Sequence, residues 1–209
     1  MGKRLFDIAC AATALLLLCP VLLAVALWVR MDSPGPVIFR QQRVGRGGRL
    51  FGIFKFRTMR VGAEAAGLPL TVGDDTRITQ AGAWLRRSKV DELPQLVNVL
   101  WGDMSLVGPR PEVPRYVALY PADLRETVLS VRPGITDLAS LAYRNESTLL
   151  AHSADPERTY AEEILPAKLR YASQYVHTRT LWLDLKILLQ TAWTLLGRRE
   201  PPPPPFHKP

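Results

Sequence analysis

The chain opens on an unbroken apolar stretch. From Ile8 to Val29 no residue carries a charge, a length in the range that crosses a bilayer as a helix. Lys3 and Arg4 precede the run and Arg30 closes it. Three readings fit. A cleaved signal peptide would take Met1-Gly2-Lys3-Arg4 as its basic start and Ala24-Val25-Ala26 as a small-x-small cleavage site. A straight single-pass anchor needs only the length. A re-entrant helical hairpin is motivated by Pro20, which removes a helix hydrogen bond in mid-run and clashes with the carbonyl of Leu16, so a kink is expected there. Basic residues at both ends favour placing both on the cytoplasmic side. Near the other end, the run from Leu181 to Leu196 is apolar but for Asp184, Lys186 and a few neutral polar residues, and it carries Trp182 and Trp193. It fits a helix lying in the headgroup region or a core helix of a soluble domain.

Between these runs the periodicity changes. Ser33-Pro34-Gly35-Pro36 reads as a turn. Pro36–Gln41 and Leu50–Phe56 read as strands, and Gly45-Arg46-Gly47-Gly48 between them suggests a hairpin. In the second strand Phe54 and Phe56 share one face, which puts Lys55 and Arg57 on the other and projects a basic face into a site. Residues 61–75 read as a loop with a small helical piece. A short helix is predicted over Thr79–Ser88, with Arg86 and Arg87 at its cation-favouring end. Another is predicted from near Asp91 to Trp101, with Pro94 tolerated in its first turn. Pro109, Pro111 and Pro114 then interrupt the chain, and helices follow at about 121–130 and 156–177. Pro201–Pro205 should be an extended polyproline segment. The fold class is therefore α+β and mostly helical: an N-terminal membrane helix with a Pro kink, a small β-hairpin and interfacial amphipathic helices. The expected division is a membrane helix over 1–30, a catalytic domain over 31–198 and a disordered proline-rich tail over 199–209.

Composition narrows the chemistry. The 209 residues suffice for one domain with a real core. Lys and Arg number 27 against 19 acidic residues, a net charge of +8, so an anionic partner is expected: nucleic acid, acidic headgroups or a phosphorylated substrate. Cys10 and Cys19 would lie roughly 13 Å apart along a helix, too far for a disulfide. Neither they nor the three scattered histidines have zinc-ligand spacing.

Asp91-Glu92 is the most informative pair. At a helix start the dipole and free N–H groups attract anions and favour ionised carboxylates, although a simple cap has the same pattern. Arg86, Arg87 and Lys89 stand just upstream. An ionised Asp beside guanidinium groups is a competent nucleophile toward phosphorus when the phosphate charge is screened, and the adjacent Glu92 is suited to holding Mg²⁺ beside phosphates. Lys55 and Arg57 on the strand, Arg110 fixed between Pro109 and Pro111, and Arg132 before Pro133-Gly134 add further cations. Around one carboxylate pair, a diphosphate site explains them jointly better than a solvated surface does. An anionic-ligand binding module on a membrane anchor would use the same cations but gives no reason for Asp91-Glu92, and the aromatic pattern of a base-stacking surface is thin.

The segments Phe54-Lys55-Phe56-Arg57-Thr58-Met59, Asp74-Asp75-Thr76-Arg77-Ile78-Thr79, Leu85 through Val99 with Asp91-Glu92-Leu93-Pro94-Gln95 at its centre, Gly102 through Pro111, and Arg132-Pro133-Gly134-Ile135-Thr136 occur in that order. They resemble the bacterial sugar transferase family, the monotopic polyprenyl-phosphate phosphoglycosyl transferases, over nearly the whole chain. The resemblance implies a re-entrant helix broken at Pro20, in the bacterial inner membrane with the catalytic domain on the cytoplasmic face. It implies that Asp91 attacks the sugar-linked phosphate of a UDP-sugar and expels UMP, that polyprenyl phosphate takes the phosphosugar from the enzyme, and that Glu92 helps to hold Mg²⁺. Nucleic acid is then not an expected partner, and self-association stays open. A transferase that moves the sugar alone would release UDP instead. Two departures stand out: Asp137 where the family has Gly, and His177-Thr178-Arg179-Thr180 before the last helix where it commonly has Glu-Asn-Trp-Ser.

Overall fold

A computed structural model describes residues 2–63, 70–73 and 75–197. The proline-rich tail, and most of the helical piece expected within 61–75, lie outside the described residues. Among the described residues the protein is mostly helical, with one antiparallel hairpin and one short parallel strand pair.

Helix α1 runs from Gly2 to Asp32, two residues past the expected boundary, and its helical assignment is unbroken at Pro20. It is long and apolar enough to cross a membrane. Its two ends nevertheless meet the same globular body. At the start, Arg4 donates to the carbonyls of Val99 and Leu100 at 2.6 and 3.0 Å. Buried Asp7 accepts from the Ser105 hydroxyl at 2.8 Å, and Ala11 is fully enclosed. At the far end Val25 and Val29 pack on Phe56 and Leu85. Between these anchors Leu16, Leu17 and Leu23 are exposed.

Strands β1 (Ile38–Val44) and β2 (Leu50–Phe56) form the expected hairpin, with Phe39 opposite Lys55 and Arg40 opposite Phe54. Helix α2 (Gln80–Ser88) is capped by Thr79, whose side chain accepts from the Gly82 amide. Gly82 has no room for a side chain: a Cβ there would strike the Thr58 carbonyl, so α2 lies flat on the end of β2. The helix expected from Asp91 is displaced. Val90–Glu92 is a 3-10 turn, and α3 begins at Gln95 and ends at Trp101. Pro94 supplies no N–H, so regular helical bonding starts only after it.

Strands β3 (Ser105–Val107) and β4 (Gly134–Thr136) pair in parallel. Between them lie α4 (Pro114–Val117) and α5 (Ala122–Leu129). The pairing brings Gly108-Pro109-Arg110-Pro111 against Arg132-Pro133-Gly134 so closely that a Cβ on Gly134 would land on the Gly108 amide. Helices α6 (Leu138–Ala142), α7 (Glu146–Ala151) and α8 (Pro156–Thr159) follow. The helix expected at 156–177 contains a π turn over Tyr160–Ile164 before α9 (Leu165–Thr178). Pro166 cannot donate to the carbonyl one turn back and its ring crowds it, which accounts for the local widening.

Helix α10 (Leu181–Leu195) is inverted with respect to an ordinary surface helix. Its inward face carries Asp184, Ile187 and Thr194, while Leu181, Trp182, Leu185, Leu189 and Trp193 are exposed. The charge of Asp184, which argues against burial by composition, is fully paired: Lys3 donates to it at 2.5 Å and the Tyr175 hydroxyl at 2.6 Å. Thr136 and Thr191 bond through their hydroxyls at 2.8 Å. A soluble helix hides its apolar face; this one presents it.

Candidate active site

The site is built on the reversal between α2 and α3. Lys89 ends α2 in the left-handed conformation (φ 58°), the sole non-glycine positive φ among the described residues. Such a residue costs about 1–2 kcal/mol. It reverses the chain so that Asp91 and Glu92 both turn inward, each 7% exposed.

The two adjacent carboxylates sit in opposite environments. Lys55 donates to Oε1 of Glu92 at 2.9 Å. The Arg110 guanidinium grips the same carboxylate with both terminal nitrogens, Nη1 to Oε2 at 3.1 Å and Nη2 to Oε1. Burial is the largest single influence on Glu92 and acts upward, but Arg110 and Lys55 together outweigh it and hold the group well below the usual carboxylate range. Glu92 reciprocally raises Arg110. Burial lowers Lys55 against the opposing pull of Glu92. Asp91 has no such clamp: its Oδ1 is buried with no hydrogen-bond partner. Burial pushes its carboxyl up, Lys55 opposes, and the neighbouring Glu92 charge adds to the rise. One carboxylate is thus locked as an anion, and the other keeps undamped lone pairs.

Further cations close round the pair. Arg86 donates to the hydroxyls of Thr58 and Thr71 at 2.8 and 2.7 Å, and burial lowers its pKa while Asp91 resists. With Lys55, Arg86, Lys89 and Arg110 set against Asp91 and Glu92, the site has an excess of two positive charges toward an incoming anion. The loop that mounts Arg110 is held from behind. The Arg110 amide donates to Asp137 Oδ2 at 3.3 Å, and Asp137 Oδ1 caps α6 by accepting from the Ser140 amide at 2.7 Å. Arg43 donates to the Pro111 carbonyl at 3.0 Å. Next along the chain, buried Glu112 accepts from the Tyr160 hydroxyl at 2.6 Å and pairs with Lys168 at 3.5 Å.

Of the residues expected in the site, Lys55, Arg86 and Arg110 converge on Asp91-Glu92, and Pro111 is buried beside them. Arg57 does not join them. It lies just past the end of β2 and donates to the carbonyls of Val29, Ser33 and Pro34 at 3.3, 2.6 and 2.5 Å, capping the end of α1. Arg132 likewise donates to the Gly102 carbonyl behind α3 at 2.8 Å. Arg87 is exposed on the outer face of α2, and Pro20 lies in the exposed middle of α1. Arg43 and the Glu112–Tyr160–Lys168 group carry no motif of their own and were not anticipated; Gln95, the last residue of the Asp91–Gln95 segment, is buried with its side-chain nitrogen unpartnered.

Among the described residues no three His, Cys, Asp or Glu side chains form a metal cage. The carboxylates at hand are Asp91, whose Oδ1 is unpartnered, and Glu92, whose two oxygens Lys55 and Arg110 already engage. Such a pair would suit Mg²⁺, which keeps several waters and is commonly held by one or two carboxylates together with substrate phosphates.

The protein is 41% identical over 95% of its length to a UDP-glucose:undecaprenyl-phosphate glucose-1-phosphate transferase of Xanthomonas campestris pv. campestris, of which it covers 40%. It is 38% identical over 93% of its length to a UDP-N-acetylgalactosamine-undecaprenyl-phosphate N-acetylgalactosaminephosphotransferase of Aeromonas hydrophila, covering 43% of that protein. The chain thus spans about two fifths of these two relatives. It covers 96% of the exopolysaccharide production protein PSS of Rhizobium leguminosarum bv. phaseoli, at 39% identity over 94% of its own length. The family described as bacterial sugar transferase matches residues 1–198, and the chain belongs to that family.

Proposed function

We propose that the protein transfers a phosphosugar from a UDP-sugar to a polyprenyl phosphate, releasing UMP. The observation that carries this reading is the buried Asp91 carboxylate, its Oδ1 unpartnered, beside an ion-paired Glu92 within a ring of cations. The Asp91 oxygen attacks the phosphorus that bears the sugar. The bond from that phosphorus to the bridging oxygen breaks, and UMP departs with the electron pair. An oxygen of the polyprenyl phosphate then attacks the same phosphorus, the Asp91–phosphorus bond breaks, and the carboxylate is restored. Dividing the transfer in this way lets each anion meet phosphorus separately. Lys55, Arg86 and Arg110 bind and orient the diphosphate oxygens, at the positions where charge accumulates. Mg²⁺, held by Glu92 with the phosphates, would supply further charge neutralisation.

We place residues 1–30 in the membrane and 31–198 on its cytoplasmic face in the bacterial inner membrane. Two features support the re-entrant reading of α1. Both of its ends engage one globular body, whereas a spanning helix would carry one end away. The outward apolar face of α10 also fits a helix lying in the headgroup region.

The test is nucleotide release by detergent-solubilised protein with undecaprenyl phosphate, Mg²⁺ and a panel of UDP-sugars. UMP from one donor, abolished by Asp91→Asn and by chelation, is the expected result. UDP release would assign simple glycosyl transfer instead.

A further inference from the structure

Between α1 and α2 lies an open groove of about 400 Å³, lined by Pro20, Val21, Ala24, Val25, Trp28 and Trp84. This volume falls within the range of small-molecule sites. None of the six side chains is charged, and the two indoles face one another at 5.5 Å between ring centroids, tilted by 58°. Five of the six belong to the uncharged run of α1. The sixth, Trp84, is 46% exposed on the outer face of α2. Three residues on, on the same helical face, stands exposed Arg87. Exposed Lys89 and then the Asp91 turn follow.

We infer that this groove seats the isoprenoid chain of the lipid acceptor, with its phosphate led along Arg87 and Lys89 toward Asp91. This rests on the function proposed above. The lining disfavours the nucleotide donor: apart from two indole N–H groups it offers no polar side chain, and it has no cation to meet a diphosphate. Two features favour the acceptor over the acyl chain of a bulk lipid. The groove is continuous, through a single helix, with the candidate nucleophile. Its cationic end, at exposed Arg87 and Lys89, complements a terminal phosphate monoester. Arg87, which makes no part of the Glu92 clamp, thereby acquires a role.

The two half-reactions separate this inference from the reading beneath it. Exchange of labelled UMP into the UDP-sugar needs no lipid; full turnover does. Trp84→Ala removes one wall, and Ala24→Phe fills the groove from an exposed position where added volume does not disturb the core. Leu23→Ala, on exposed α1 surface outside the groove, is the control. Each is assayed in mixed micelles of fixed phospholipid content against undecaprenyl phosphate. The expected result is a KM for the acceptor raised at least about fivefold in both groove variants, with UMP exchange within about twofold of the unmodified protein and the control unaffected. An unchanged acceptor KM with intact exchange would overturn the inference and leave the groove to bulk acyl chains. An equal rise in the Leu23→Ala control would overturn it too. Absence of UMP exchange in the unmodified protein would instead defeat the proposed function itself.

Discussion

Replacing Asp91 by Asn should abolish turnover and at the same time make the protein more stable. The carboxyl's value in the folded protein is raised, chiefly by burial. A carboxyl raised on folding contributes stability only below its unfolded value, near 3.9, and that contribution is lost as pH rises through the folded value. At pH 7 the ionised group is therefore a net cost. Leaving a buried polar atom unsatisfied costs about 1–3 kcal/mol, and more when it is charged. Lys55 offsets part of this, so a gain of about 1–2 kcal/mol is expected for the neutral amide. For a chain of this size that is a rise of roughly 2–8 °C in Tm. The five tryptophans provide the signal for thermal unfolding in detergent, and the gain should shrink as pH is lowered toward 4. Activity should fall at least about a thousandfold, as removal of a nucleophile does. A destabilised Asp91→Asn protein, or a gain that persists unchanged at pH 4, would refute the reasoning and make Asp91 an ordinary structural ion partner.

Arg110→Gln breaks the buried clamp on Glu92, for which about 3–5 kcal/mol is usual; Lys55 remains on Oε1, so the lower end is expected. Because Glu92 is depressed in the folded protein, its contribution is present above the unfolded value near 4.3 and lost as pH falls through the folded one. A pH series of melting curves should therefore show the variant losing stability at a higher pH than the unmodified protein. Arg57→Ala should cost about 2–4 kcal/mol through three lost charge-assisted hydrogen bonds and admit protease near Ser33–Pro36, yet leave the donor KM unchanged; a raised donor KM would return Arg57 to the site. Gly134→Ala should destabilise by about 2 kcal/mol or more and lower kcat beyond tenfold, since the β3–β4 contact that mounts Arg110 has no room for a methyl group.

The hairpin and α2 were legible because each has its own local signal: alternation about a glycine turn in one, a short helical run ending in two arginines in the other. The β3–β4 pair was not, since strands of three residues have no measurable period and each pairs with residues 29 positions away in sequence. Asp91 and Glu92 were legible as a pair, but not as unequal members of it. Their difference comes from Lys55 and Arg110, which only folding brings to the same carboxylate. Arg57 was misread because strand alternation stops at Phe56, after which the chain turns its side chain back toward α1. Asp137, noticed as a departure from the family pattern, proves to be a helix cap that also holds the Arg110 amide. Composition alone cannot distinguish a carboxylate that forbids burial from one, like Asp184, that is neutralised by a lysine 181 residues away.

The double attachment of α1 bears on how this protein can be handled. A truncation starting after Asp32, the obvious route to a water-soluble form, would strip Ala11, Val25 and Val29 from two of the three apolar clusters. It would also strand the Asp184 carboxylate without its lysine and deprive the Arg57 guanidinium of the Val29 carbonyl. Such a fragment should aggregate rather than dissolve. Helix α1 is a structural beam of the globular body, so with α1 in the membrane, as proposed, purification has to carry the bilayer, or a mimic of it, along with the protein.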